Sequence, residues 1–186
     1  MALDSMQEIF EKAAAGQIPF WQVVLETDME QRQVTAEQSM EKMRVTWQAM
    51  LESVTAYQGT ERSRSGLVGG DGEKMRQYVE NGKGLCGAYL REVVATALSV
   101  GESNACMRKI VAAPTAGACG VLPAVLVPLY QAGMVSEEQI LQALYAASGI
   151  GAVIGYRACI AGAAGGCQAE IGTASAMAAG ALASIQ

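Results

Sequence analysis

Thr35-Ala36-Glu37-Gln38-Ser39-Met40-Glu41-Lys42-Met43-Arg44-Val45-Thr46-Trp47-Gln48-Ala49-Met50-Leu51-Glu52-Ser53-Val54-Thr55-Ala56-Tyr57 decides the fold class. Thr35 followed three residues later by Gln38 is the capping-box pattern, in which each side chain satisfies the other residue's backbone N–H at a helix start. Downstream, Met40, Met43, Trp47, Met50, Val54 and Tyr57 recur at steps of three and four, which is one face of an α-helix and not the alternation of a strand. The segment therefore predicts a long amphipathic helix, with its methionine-rich stripe serving as core or as a subunit contact.

Working outward, Ser136 and Gln139 repeat the capping box ahead of an apolar pattern predicted to run to about Arg157. Ser5 can cap a first helix through about Gly16, and Pro19 can open a second through about Gln33. Asp71 is placed to cap a helix beginning at Glu73. After a turn at Asn81-Gly82-Lys83-Gly84, the run Leu85 to Val100 reads as helix ending at Gly101, with a short helix near Ser103 to Val111. Cys119 to about Tyr130 predicts an apolar helix shortened or kinked by Pro123 and Pro128, and a last helix starts near Cys167. No β-branched strands alternate with these segments. The expectation is an all-α fold: one compact helical domain over residues 1–186, with Gly/Ala-rich loops at helix N-termini.

Charge divides the chain unevenly. Of its 31 charged residues, 27 lie in positions 1 to 109, and only Glu137, Glu138, Arg157 and Glu170 follow. The C-terminal part is accordingly expected to be mostly buried. Aromatics are scarce, at 5%, so small residues must do much of the packing, and Ala/Gly surfaces let helices approach closely. A net charge of -5 with no basic run argues against nucleic-acid binding. The charge-free windows 110–136 and 139–156 are broken by Pro114, Pro123, Pro128 and several glycines, which favours buried core helix over a membrane span. The first twenty residues lack the apolar core of a secretory signal, so a cytoplasmic location is expected.

Three glycine-rich loops carry the chemical interest. Ser65-Gly66-Leu67-Val68-Gly69-Gly70-Asp71-Gly72 precedes a helix and resembles a phosphate cradle, but it lacks the Gly-Lys-Ser/Thr ending of a P-loop, so a tight turn is the better reading. Ala113-Pro114-Thr115-Ala116-Gly117-Ala118-Cys119-Gly120 and Gly165-Gly166-Cys167-Gln168-Ala169-Glu170-Ile171-Gly172 each set a cysteine among residues with little side chain, just before an apolar helix. A ligand there can meet bare N–H groups, and a thiolate gains from the helix dipole. The five cysteines, at 86, 106, 119, 159 and 167, contain no Cys-x-x-Cys, and the chain has no histidine. A zinc site or a cluster held wholly within the chain is therefore not expected. Cys86, Cys106 and Cys159 read as small apolar fillers and Cys119 as a small residue at a crowded helix start. Cys167 stands open as a metal ligand or reactive thiol.

These residues, with Ile110-Val111-Ala112 and Val121-Leu122-Pro123-Ala124-Val125-Leu126 around the second loop and Gly162-Ala163-Ala164 before the third, carry a resemblance. The chain resembles the α subunit, or α domain, of the iron–sulfur-dependent L-serine dehydratases, in the block spacing of the two-subunit bacterial form. The likeness runs from about Ser65 to the end, and more faintly over the N-terminal helices. It implies that 63–186 is an incomplete catalytic part and 1–62 its N-terminal helices. It also implies an oxygen-labile [4Fe–4S] cluster that acts as a Lewis acid in removing water and then ammonia from L-serine, giving pyruvate. Cys167 matches the family's cluster-ligating cysteine. Two further ligands belong to a later segment absent from these residues, so the chain is expected to be a partial subunit.

The resemblance further implies a β subunit, whose Ser-Ser-His segment can supply a general base that this histidine-free chain lacks. Homo- or hetero-oligomeric assembly follows from such a partner. Lys109 is the local candidate base, and the Thr115, Ala116 and Gly117 loop is expected to hold the substrate carboxylate. Arg157, nearly alone in an apolar stretch, is expected to pair with a carboxylate such as Glu170, or with substrate. Ala161 stands where relatives usually show Ser, so a hydrogen bond from that position is missing. Two rivals are weighed against the lyase: a pyridoxal-phosphate dehydratase, which needs an α/β body, and an inactive helical remnant or scaffold.

Overall fold

A computed structural model describes residues 3–82 and 86–186. Among them the regular elements are helical and no strand occurs: α1 Met6–Gly16, α2 Phe20–Arg32, α3 Ala36–Thr55, α4 Asp71–Glu80, α5 Ala88–Ala105, α6 Val121–Gln131, α7 Glu137–Arg157, α8 Gly162–Gly165 and α9 Cys167–Ile185, with a 3-10 turn at Ala116–Ala118. The fold is all-α. No helix among the described residues is long and apolar enough to cross a membrane. They fall into two compact units, one holding the residues up to Trp47 with Val135–Gln186 and the other Gln48–Met134.

The first unit is built on caps that the sequence announces. Ser5 Oγ accepts the Glu8 N–H at 3.1 Å and starts α1. Thr35 and Gln38 exchange both bonds of the box at the head of α3, as do Ser136 and Gln139 at the head of α7. Ile9, Val23, Val24, Leu25, Tyr145 and Val153 form its core, against which Met40 and Met43 of the methionine stripe pack. Two glycines of α7 set the helix spacings. A Cβ on Gly149 would stand 2.5 Å from Val24 Cγ2 of α2, and one on Gly151 would stand 2.8 Å from Met177 Sδ of α9. Bare backbone on two faces of α7 thus lets it lie close to a neighbour on each.

In the second unit α5 packs on both α4 and α6. Gly120 brings the start of α6 to the backbone of α5, where a Cβ would meet the Ala97 carbonyl at 3.0 Å. Val100, Leu122, Leu126 and Val127 are buried here.

Several expectations are corrected. Helix α5 runs through Gly101 to Ala105, and no separate helix follows it over 106–111. A glycine in a helix interior costs only about 1 kcal/mol, and buried Val100, Glu102 and Ser103 keep this face packed. The expected start at Leu85, and the turn residues Lys83 and Gly84, lie outside the described residues. Asp71 is the first residue of α4, not its cap. Gly70, at φ +85°, holds the cap position, and the Asp71 carboxylate pairs with Lys74 instead. The charge-poor C-terminal part is only half buried. Most of α7 from 140 to 153 is enclosed, whereas positions 155–168 are almost all exposed. Lack of charge predicts burial only where an element has a packing partner over that face.

Candidate functional site

The Gly-Gly-Cys turn belongs to the first unit. Helix α8 ends at Gly165, whose Cβ would lie 2.7 Å from Ala169 Cβ and 3.1 Å from the Cys159 carbonyl. Gly166 follows at φ +76°, in the left-handed region that glycine enters without penalty. The first glycine is thus required by close approach and the second by backbone angle. Together they place Cys167 as the first residue of the 19-residue helix α9, with its side chain exposed. Gly162 leaves room for Glu170, whose Oε2 would be 2.5 Å from a Cβ at that position.

The Pro-Thr-Ala-Gly loop belongs to the second unit. It turns through a cis Ala113–Pro114 bond into the 3-10 turn, which is closed by the N–H groups of Ala118 and Cys119 donating to the carbonyls of Thr115 and Ala116. The N–H groups of Ala116 and Gly117 stand outside those two bonds, and both residues are exposed. Asn104 Nδ2 donates to the Ala116 carbonyl at 3.0 Å and ties the loop to α5. Thr115 Oγ1 is buried without a hydrogen-bond partner, which is costly for a hydroxyl unless something else occupies it. Cys119 is buried, and burial pushes its thiol above the ordinary value. It is kept protonated and out of solvent.

Sequence reading missed Glu102. Its carboxylate, 6% exposed, reaches the head of α4 and accepts the N–H groups of Gly70 at 3.1 Å, Asp71 at 2.7 Å and Gly72 at 3.2 Å. Tyr57 donates its hydroxyl to the same carboxylate at 2.5 Å and accepts the Glu73 N–H at 3.1 Å. All four N–H groups that a helix start leaves unpaired are therefore satisfied by two side chains. The loop that resembles a phosphate cradle is occupied by an anion of the protein itself. A carboxylate directly after the uncharged run Val93 to Gly101 was the available signal. Burial, and after it the bond to Glu102, push the Tyr57 hydroxyl up to about 12.

Lys109 ion-pairs with Glu52 at 2.5 Å, beside a small crevice that Ser53, Ser103 and Arg108 also line. Arg108 forks onto the Glu61 carboxylate. Arg157 is exposed and makes no ion pair among the described residues, which corrects the expected pairing with Glu170. It ends α7, from which its side chain emerges into solvent. Cys86 and Cys159 are also exposed and Cys106 is partly so, so these three are not buried fillers. Among the described residues no three of His, Cys, Asp and Glu converge where they could hold a metal ion. A four-iron cluster needs more thiolates than that. The described residues alone do not supply the ligand set of such a group.

Comparison with known proteins names the class. Residues 15–186 match the family model described as serine dehydratase alpha chain. The probable L-serine dehydratase, alpha chain, of Bacillus subtilis (strain 168) is 36% identical over 178 residues, covering 96% of this chain and 59% of the relative. The L-serine dehydratase, alpha chain, of Peptoniphilus asaccharolyticus is 36% identical over 181 residues, covering 97% and 62%. The L-serine dehydratase TdcG of Escherichia coli (strain K12) is 47% identical over 87 residues, covering 46% of this chain and 19% of that protein. No solved structure matches. The chain belongs to the serine dehydratase alpha chain family. It spans about three fifths of the length of the first two relatives.

Proposed function

We propose that this chain is the α-subunit portion of an L-serine ammonia-lyase, an iron–sulfur-dependent serine dehydratase. The observation that carries the reading is a likeness, over nearly all of this chain, to proteins named L-serine dehydratase, alpha chain. The exposed thiol of Cys167 at the head of α9 supports it. In this reading Cys167 is one ligand of a [4Fe–4S] cluster completed by donors outside the described residues. The cluster, when bound, supplies a Lewis-acidic iron to the departing β-hydroxyl of serine.

The chain's own part is to bind and orient. The N–H groups of Ala116 and Gly117 receive the substrate carboxylate, with the Thr115 hydroxyl as a further donor. That assignment gives the buried Thr115 hydroxyl the partner it lacks. Arg157, exposed at the end of α7, is a cation open to an anionic substrate. The α-proton goes to a base on a β subunit, since this chain has no histidine. Lys109 is the local candidate, and to serve it has to leave Glu52.

The test uses the enzyme assembled anaerobically with its β subunit. Cys167→Ala is expected to lower iron and sulfide content and abolish turnover. Unchanged metal and turnover would overturn the cluster assignment, and no iron above background in the parent would favour an inert helical scaffold. Thr115→Val is expected to lower kcat/KM for serine about tenfold, the worth of a hydrogen bond to a charged group. An unchanged value removes Thr115 from the substrate site, and an unchanged value for Lys109→Met removes that residue from proton transfer.

A further inference from the structure

One cavity is lined by no residue of either cysteine-bearing loop. It measures about 520 Å³, within the first unit, and one face each of α2, α3 and α7 surrounds it. Such a volume is in the range of small-molecule sites. Its walls are mainly apolar, with Val24, Met43 and Ala152 among them, and Tyr156 stands at the end of α7 with its ring largely exposed.

Four polar groups of the cavity are already ordered. Ser39 Oγ donates to Asp28 Oδ2 at 2.5 Å and lies 2.6 Å from the Tyr145 hydroxyl. Serine has one hydroxyl proton, and a carboxylate only accepts. Tyr145 must therefore donate to Ser39. Burial raises the Tyr145 hydroxyl above its ordinary range, so that proton is held. Asp28 is also paired with Arg32 at 2.7 Å. The chain Tyr145 to Ser39 to Asp28 to Arg32 is thus internally satisfied, with no hydroxyl proton left to give to a guest.

Lys42 is different. It lines the same cavity, and no carboxylate pairs with it among the described residues. Asp28 cancels Arg32, so the cavity carries one uncompensated positive charge beside an apolar interior. We propose that this cavity is a binding site for a small organic monocarboxylate with an apolar body, its carboxylate on Lys42 and its carbon chain among Val24, Met43 and Ala152. An apolar cavity excludes a strongly hydrated di-anion, and a single cation cannot offset one. An amine is repelled by Lys42 and finds Asp28 already engaged. The inference stands on the cavity alone and does not depend on the serine dehydratase reading.

The test is titration of the protein, labelled with 13C at its methionine methyl groups, with hexanoate, 1-hexanol and hexylammonium. Hexanoate is expected to shift the Met43 methyl saturably at millimolar concentrations and hexylammonium to leave it unmoved, with hexanol binding more weakly than the acid. Lys42→Met, at an exposed position, is expected to weaken hexanoate about tenfold. Ala152→Phe, which fills the space, is expected to abolish the shift. No saturable shift from hexanoate, equal shifts from acid and amine, or undiminished affinity in Lys42→Met overturns the proposal.

Discussion

Glu102 shows how much one side chain can organise. A carboxylate is a poor tenant of a helix interior unless its lone pairs are filled, and here three N–H groups and a phenol fill them. Glu102→Gln keeps the shape but loses the charge and half of the accepting capacity. It is expected to lower unfolding free energy by roughly 2–3 kcal/mol, measured by urea denaturation at neutral pH, and a loss too small to measure would contradict the capping role. Tyr57 gives the same cluster a pH signature. Its folded value, about 12, exceeds the ordinary 10.0, so the protonated phenol favours the folded state. The contribution is complete below pH 10 and disappears as pH rises from 10 to 12. Tyr57→Phe should therefore flatten the decline of the urea midpoint across that window, and an identical decline in the variant would rule the assignment out. Asp71 is the contrast: the sequence placed a cap there, but its side chain meets only Lys74 in solvent, where an ion pair contributes little. Removing it should leave the urea midpoint unchanged.

At the scale of the element, capping chemistry was legible and helix spacing was not. Both capping boxes form as their letters suggest, because the pattern is local and needs no partner. Ser136→Ala should cost about 1 kcal/mol, read from the thermal midpoint. The close approach of α7 to α2 depends on a residue whose meaning is tertiary. Gly149 looks like a helix weakness in sequence, yet a methyl there would stand 2.5 Å from the branched side chain of Val24. Gly149→Ala, which raises helix propensity, should nonetheless destabilise the protein by about 1–3 kcal/mol through overpacking, and a stabilised variant would show that the two helices can separate freely. The misread end of α5 has the same origin. Gly101 and the residues after it suggest a break, but burial of Glu102 and Ser103 carries the helix on to Ala105.

Across the whole molecule, the clearest discrepancy lies in the last third, where scarcity of charge suggested burial and the chain from 155 to 168 is almost all exposed. Thiol chemistry reads this out directly. Under limiting iodoacetamide in the native state, Cys159 and Cys167 should be alkylated well before Cys119, which is buried and whose thiol is held protonated. Mass mapping that finds Cys119 first would contradict the described burial. The sequence by itself determined the helical class, the ends of α1, α2, α3 and α7, and the placing of Cys167 at a helix start, because caps, 3.6-residue spacing and glycine turns act between neighbours along the chain. Family membership was also legible in three short blocks. Only the tertiary structure decided that Glu102 would fill the glycine loop at Gly70, that Arg157 would find no ion-pair partner among the described residues, and that Asp28, Ser39 and Tyr145 would close on one another beside a cavity. Each of those depends on which distant residue arrives within 3 Å, and such meetings are set by packing between helices, which no local pattern encodes.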